Sequence, residues 1–269
     1  MRDTRDMLLV LLSSLLMLTG CSRRDILDDY PVSGVEISLD WNGVTNKLPE
    51  GVRVIFYPKN AEGRKIDTYL SVKGGKVKVP PGRYSVVVYN YDTETVQIRG
   101  EEAYETIEAF TGHCNGLGIA GTEQLVWGPD PLYVVRIDDL KIENSEEELQ
   151  LNWKPKLVVK TYSFKLKVQG LEYVSSIVGS IEGMSSCYDL GLGCGKAGDS
   201  PIYFAARGSA GEVTGSFTVF GTSEGVISRA GNAIKLTLAF VKTDNKVQKM
   251  EVDITEVIAN SESGGSGGD

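Results

Sequence analysis

The chain has 269 residues and a formal net charge of -8, with a pI near 4.9. A surface this acidic repels phosphate, which excludes nucleic acid and disfavours direct adhesion to anionic lipid. With 31 glycines against 9 prolines, and apolar residues in short alternating runs rather than long amphipathic stretches, the composition is that of a turn-rich β protein.

Arg2 and Arg5 precede an apolar run at residues 7–18, and Leu18-Thr19-Gly20-Cys21 closes it. Spanning a bilayer takes about 20 apolar residues, so this run is too short for a membrane helix. Its length and the small residues behind it are those of a secretory leader. Asp3 and Asp6 offset the two arginines and leave the amino terminus as the net positive charge. A leucine, a small residue and a glycine directly before a cysteine form the pattern that bacteria process into a lipid-modified N-terminus. Residues 1–20 are therefore expected to be a lipoprotein signal peptide, with Cys21 carrying diacylglycerol on its thiol and an acyl chain on its new amine. At ~0.8 kcal/mol per buried methylene, several such chains hold a protein on a membrane permanently. Residues 21–33 read as a polar tether, and Ser22 is compatible with sorting to the outer membrane.

Residues 35–41 alternate apolar and polar with period two, which predicts a half-buried strand. Residues 51–57 predict a second strand, stopped by the turn signal from Pro58 to Gly63. Residues 67–72 and 76–79 flank Lys73-Gly74-Gly75 and predict a hairpin, because both glycines tolerate positive φ. After Pro80-Pro81-Gly82, residues 83–91 are almost continuously apolar, as in a central strand covered on both faces. Residues 96–99 and 132–137 add two more strands. About seven short strands with frequent turns is a sandwich signature.

Acidic residues crowd between Asp138 and Glu148, which places a domain boundary near residue 145. Beyond it, residues 149–153, 157–168, 211–220, 233–242 and 247–255 alternate again, the last two joined across Thr243-Asp244-Asn245. Leu171, Val174, Ile177 and Val178 fall at helical spacing, limited to about two turns by Gly170, Gly179 and Gly183. The expected organisation is all-β: tandem antiparallel β-sandwiches at 34–144 and 145–260, then a glycine- and serine-rich flexible tail at 261–269.

Several segments read together resemble a known group: Val52-Arg53-Val54-Ile55-Phe56-Tyr57-Pro58, Tyr89-Asn90-Tyr91-Asp92-Thr93-Glu94 with Arg99-Gly100, Tyr162-Ser163-Phe164, Gly215-Ser216-Phe217 through Phe220-Gly221, and Val252-Asp253-Ile254-Thr255. In this order behind a lipobox, they resemble a lipoprotein family of Bacteroidales in the fimbrillin group, related to the anchor subunits of type V fimbriae. The resemblance covers nearly the whole mature chain. It implies two domains of transthyretin-like topology and a structural role as a fimbria-associated anchor or adhesion component of the outer membrane. It also implies fimbrial or other surface subunits as partners, joined by strand addition. Asp25, Asp28 and Asp29 fit an acidic surface-export signal of the kind seen in such lipoproteins, although Arg23 and Arg24 interrupt it; the cell surface is the expected location. In that group, stalk subunits look to be trimmed by an arginine-specific protease just after the first strand. Here residues 42–50 hold Lys47 and no arginine, which favours an uncleaved anchor, and Arg64 alone among the early arginines sits in a loop within the fold. The glycine-rich tail lacks the alternation of a donor strand.

The inventory offers little to an enzyme. His113 is the single histidine, and on a strand its neighbour Cys114 points to the opposite face. A zinc site from His113, Cys114, Cys187 and Cys194 has the wrong spacing for tetrahedral ligation. Gly191-Leu192-Gly193-Cys194-Gly195-Lys196 matches neither phosphate-binding glycine pattern. Asp92, Glu94, Asp138 and Asp139 read as acidic turns. No catalytic residue, metal or cofactor is expected. Cys187 and Cys194 bracket a glycine-rich bend and form a candidate disulfide in an oxidising compartment. Among the tryptophans, Trp41 and Trp153 sit in alternating strands as core residues, whereas Trp127, beside Gly128-Pro129-Asp130-Pro131, is expected at the surface. Trp127 is the candidate contact in the alternative reading, a glycan-binding surface lipoprotein.

Overall fold

The computed structural model describes residues 33–60, 63–114, 124–145, 147–197, 200–220 and 233–263. The signal peptide, Cys21 and the last six residues of the tail lie outside the described residues. Strands are numbered in chain order. An eight-stranded sheet contains β1 (Ser33–Leu39), β2 (Gly51–Pro58), β3 (Ile66–Ser71), β4 (Gly74–Val79), β5 (Gly82–Asn90), β9 (Tyr133–Ile142), β10 (Leu149–Trp153) and β11 (Lys156–Leu157). Its order is β10-β1-β4-β3-β2-β5-β9-β11. β10 and β11 are the two edges of this sheet, yet only Lys154 and Pro155 separate them in the chain. That link reaches about 11 Å at full extension, whereas eight strands laid flat at ~4.8 Å spacing measure roughly 34 Å across. The sheet must therefore curl until its edges nearly meet.

The alternation seen in the sequence sorts side chains between the two faces of this curl. Val35, Ile37, Val52, Val54, Phe56, Val79, Val86 and Val88 fill the inside. The opposite face of the central strands presents Ile55, Tyr57, Val87 and Tyr89, which a second sheet covers with Val96, Ile107, Ala109 and Leu190. β5 lies where the two cores meet, and seven of its nine positions, Tyr84 through Asn90, are buried. This is the environment its continuous apolar run predicts.

The second sheet has four strands, β6 (Val96–Arg99), β7 (Glu108–Thr111), β14 (Ser185–Asp189) and β15 (Cys194–Ala197), in the order β15-β14-β7-β6. The third contains β12 (Lys160–Lys167), β13 (Val174–Glu182), β16 (Ile202–Ser209), β17 (Glu212–Val219), β18 (Lys235–Lys242) and β19 (Val247–Asp253). These run in the order β12-β17-β16-β13-β18-β19, with β8 (Val126–Trp127) beside β16. Its core is built on Ile181, Ile202, Phe204, Val213, Phe217, Leu236 and Leu238. Strand pairing crosses the expected boundary near residue 145 four times. β10 and β11, expected in the second sandwich, complete the first sheet beside β1 and β9, and two further pairs join the halves. β7 pairs with β14, placing Phe110 opposite Cys187, and β8 pairs in parallel with β16.

Two expectations are corrected. The stretch with helical spacing holds only a 3-10 turn at Leu171–Tyr173 and then becomes β13. Ile177, Gly179 and Ile181 alternate toward the core there, and pairing on both sides with β16 and β18 outweighs the local spacing. The proposed tail begins in a helix, α1 (Thr255–Ser263), whose Ile258 is buried in the third core. Thr255 Oγ1 accepts a hydrogen bond from the Ile234 backbone N–H at 2.8 Å, which ties the helix start to the sheet.

Leu190 belongs to the C-terminal half of the chain but is fully buried against residues of the eight-stranded sheet. Leu190→Ala is expected to cost about 2–5 kcal/mol and lower the melting temperature by roughly 4–20 °C. Calorimetry should show a single transition shifted for both halves together; an unshifted transition for the N-terminal half would show that the halves are uncoupled.

Candidate assembly surface

The first strand carries the geometry most relevant to assembly. β1 pairs in parallel with β10 from Val35↔Leu149 to Leu39↔Trp153, and antiparallel with β4 from Ser33↔Val79 to Ser38↔Gly74. Its apolar side chains point inward, with Val35 0% exposed and Ile37 1%. Gly74 starts β4 with φ +99, and a Cβ there would lie 2.0 Å from the Ile37 carbonyl oxygen. Only glycine permits both this backbone conformation and this approach of β4 to β1.

The link from β1 to β2 is pinned at both ends. Trp41 Nε1 donates to the Val72 carbonyl at 2.6 Å, and the Trp41 ring packs edge-on against Tyr133. At the far end the Glu50 N–H donates to the Asp92 carboxylate at 3.0 Å. Lys47, between these points, is exposed. Arg53 lies inside β2, and its guanidinium donates to Asp67 at 2.6 and 2.9 Å, to Glu101 at 2.6 and 2.9 Å, and to the Tyr89 hydroxyl at 2.8 Å. The hydrogen bonds to Asp67 and then Glu101 hold its pKa above the already high arginine value. Sequence reasoning missed this network, because its members are 14 and 48 residues apart and no local pattern joins them. Arg64 is exposed in the connection between β2 and β3.

The remaining candidates are placed as follows. Cys187 and Cys194 are free thiols, as is Cys114. In the β14–β15 hairpin Cys187 stands opposite Lys196 and Cys194 opposite Asp189. The two cysteines are thus diagonal neighbours, typically 7–8 Å apart, rather than a directly opposed pair. A disulfide needs Cβ atoms about 3.5–4.5 Å apart, closer than diagonal neighbours ordinarily stand. Burial pushes the Cys114 and Cys187 thiols up, the opposite of what a nucleophile needs. His113 is exposed beside the buried Cys114.

The glycine-rich segment after β14 is shaped by Asp189, which is 1% exposed. One of its oxygens accepts from the Leu192 N–H at 2.8 Å, and the other meets Lys196 Nζ at 2.8 Å. Asp138 accepts from the Tyr104 hydroxyl, and Asp139 pairs with Arg83 and Lys59. Among the described residues, no three His, Cys, Asp or Glu side chains converge as metal ligands. Trp127 is 38% exposed and stands edge-on to Tyr203 with ring centres 5.4 Å apart. Trp153 is buried and Trp41 is half-buried.

A curled eight-stranded sheet with its first strand built in, joined to a third sheet through a shared four-stranded one, defines an all-β protein. The sequence matches the family Domain of unknown function (DUF5119) over residues 20–205, and the chain belongs to that family. It is 62% identical over 281 residues to a Bacteroides ovatus protein named "Putative fimbrium anchoring subunit Fim4B", covering 100% of this chain and 84% of that one. A crystal structure of a "putative adhesin" from Bacteroides ovatus superposes with a TM-score of 0.81 at 60% identity, over 90% of this chain and 89% of the other. The fimbrial anchor protein Mfa2 from Porphyromonas gingivalis shares the fold, with a TM-score of 0.53 at 12% identity over 85% of this chain and 83% of that chain. The resemblance to fimbrial anchor subunits read from the sequence motifs is borne out.

Gly74→Ala is expected to cost about 1–3 kcal/mol from the left-handed backbone alone, with the clash at Ile37 added. Hydrogen exchange should quicken most at residues 35–39; uniform quickening would mean that Gly74 does not seat β1. Thiol titration of the folded chain should modify Cys194 rapidly, Cys187 slowly and Cys114 only after denaturation. Protection of Cys194 together with Cys187 until a reductant is added would reveal a bridge between them.

Proposed function

We propose that this chain is a structural component that anchors a fimbrium at the cell surface, held in the outer membrane by lipid on Cys21. The observation that carries the reading is 62% identity, over this chain and 84% of the other, to the protein named "Putative fimbrium anchoring subunit Fim4B". Three features support it. β1 is paired on both sides, with its inward side chains buried, which suits a strand that stays in place. The link behind it has no arginine at residues 42–50, and Arg53 is engaged by two carboxylates inside a strand. The tether from Cys21 leads directly into β1, so a pull on the fibre would load β1 along its length. Two ladders of backbone hydrogen bonds would then resist together instead of peeling one by one. Partners are other fimbrial or surface subunits, joined by strand addition. The thiols raised by burial and the carboxylates already occupied by cations and hydroxyls suit a structural role rather than a catalytic one.

Glycan binding is a second reading, favoured by the partial exposure of Trp127 beside Tyr203. An exposed indole can stack on a sugar ring, but here the pair is edge-on and gives one narrow platform instead of a cleft.

In cells that make the fimbriae, Cys21→Ser is expected to leave the protein unlipidated and release assembled fimbriae into the medium, as read by immunoblots of cells and supernatant. Fimbriae that stay on cells while the variant is soluble would overturn the anchor reading. Trp127→Ala should leave fimbriation unchanged, and glycan-array binding that is also unchanged would remove the second reading.

A further inference from the structure

Residues 154–167 carry Lys154, Lys156, Lys160, Lys165 and Lys167 with no carboxylate, in a chain of net charge -8. Most of this basic run is β12, an edge of the third sheet. Among the described residues β12 pairs only with β17, through Lys160↔Val219 to Lys167↔Glu212. Its inward side chains, Tyr162, Phe164 and Leu166, are only half-buried against the core, whereas Val213, Phe217 and Val219 of β17 beside them are buried. The apolar row thus stops one strand short of full cover. On the outward face Ser163, Lys165 and Lys167 are exposed. Lys165 meets Glu212 at 2.8 Å in a solvent-exposed pair that holds it weakly. At its C-terminal end β12 runs into an open cleft of about 810 Å³ lined by Lys167, Val168, Leu171, Gly208 and Glu212, among others.

Lysines on an edge oppose pairing with a second copy of the same strand, since like charges would face each other. The same lysines favour a strand of opposite charge. We propose that β12 is a docking edge for an extended acidic segment of another protein subunit, one that alternates apolar residues with Asp or Glu. Its apolar side chains would cover Phe164 and Leu166, its carboxylates would face Lys165 and Lys167, and its backbone would extend the ladder of β12. Lysines alternating with core side chains at strand period suit a strand better than anionic lipid, which needs charge but no backbone pairing. The proposal gives the strand-addition partner above its site and chemistry, and rests on that reading only for the partner's being a fimbrial subunit.

The test uses the purified full mature chain and a labelled nine-residue peptide alternating valine and glutamate, followed by fluorescence anisotropy. The peptide should bind, an alternating valine–lysine peptide should not, and Lys165→Glu with Lys167→Glu should weaken binding by about tenfold or more. The milder pair Lys165→Gln and Lys167→Gln, at exposed positions, keeps the test valid if charge reversal disturbs folding. The same acidic peptide with alternate backbone nitrogens methylated should lose binding, because it cannot extend the ladder. Equal binding of the methylated peptide would overturn strand docking. So would no binding, unaltered binding by both lysine variants, self-association of the chain through β12, or preference for phosphatidylglycerol vesicles over the peptide. None of these outcomes depends on fimbriae, so failure here is separable from failure of the Cys21→Ser test.

Discussion

The two-sided pairing of β1 is the constraint on which the eight-stranded sheet depends. Without β1, β10 has no partner and the edge moves back to β4, leaving an apolar groove along the inside of the curl. Val35, Ile37 and Leu39 each contribute about 1.5–3 kcal/mol by burial, and the ladders on either side satisfy backbone groups that would otherwise face that groove. The two-residue link between β10 and β11 then forces the opposite edge to follow, so seating β1 also sets how far the sheet closes. β1 is therefore one of the most firmly held strands of this sheet.

The four-stranded sheet gives the closed curl its second role. By covering Ile55, Val87 and Tyr89 with side chains from both halves of the chain, it makes the N-terminal core incomplete until the C-terminal half has folded. The polar groups around this sheet reinforce the join. Arg53 ties β2 to β3 and to the connection after β6, and Asp189 holds the β14–β15 turn while sharing Lys196 with Glu108. These are ion pairs with satisfied partners, so their main effect is to specify which surfaces meet. The two halves are thereby joined through shared packed cores instead of through a flexible linker.

Much of the local structure is legible in the sequence. Strands β2, β5, β6 and β10 fall where alternation and turn signals put them, because their side-chain pattern and their burial are the same fact seen twice. The hairpin at Gly74 follows from its need for positive φ. β14 and β15 were missed because glycine, serine and cysteine carry little alternation, and only pairing with β7 makes them strands. The same cause turned residues 174–182 from a helical spacing into a strand. Of the assembly surface, the basic run around β12 and the missing arginine behind β1 can be read directly, whereas the carboxylates that occupy Arg53 cannot.

The sequence by itself determined the class of the protein: its all-β character, the positions of its strongly alternating strands, its acidity and its kinship with fimbrial anchors. Each of these is written in spacing of a few residues or in ordered motifs. The tertiary structure alone decided that the eight-stranded sheet curls, that β1 is held on both sides, that the halves share a sheet, and that β12 is an edge. These depend on contacts between residues far apart in the chain, such as Val35 with Leu149 and Phe110 with Cys187, whose pairing is selected by the collective burial of three cores. No short-range signal encodes that selection.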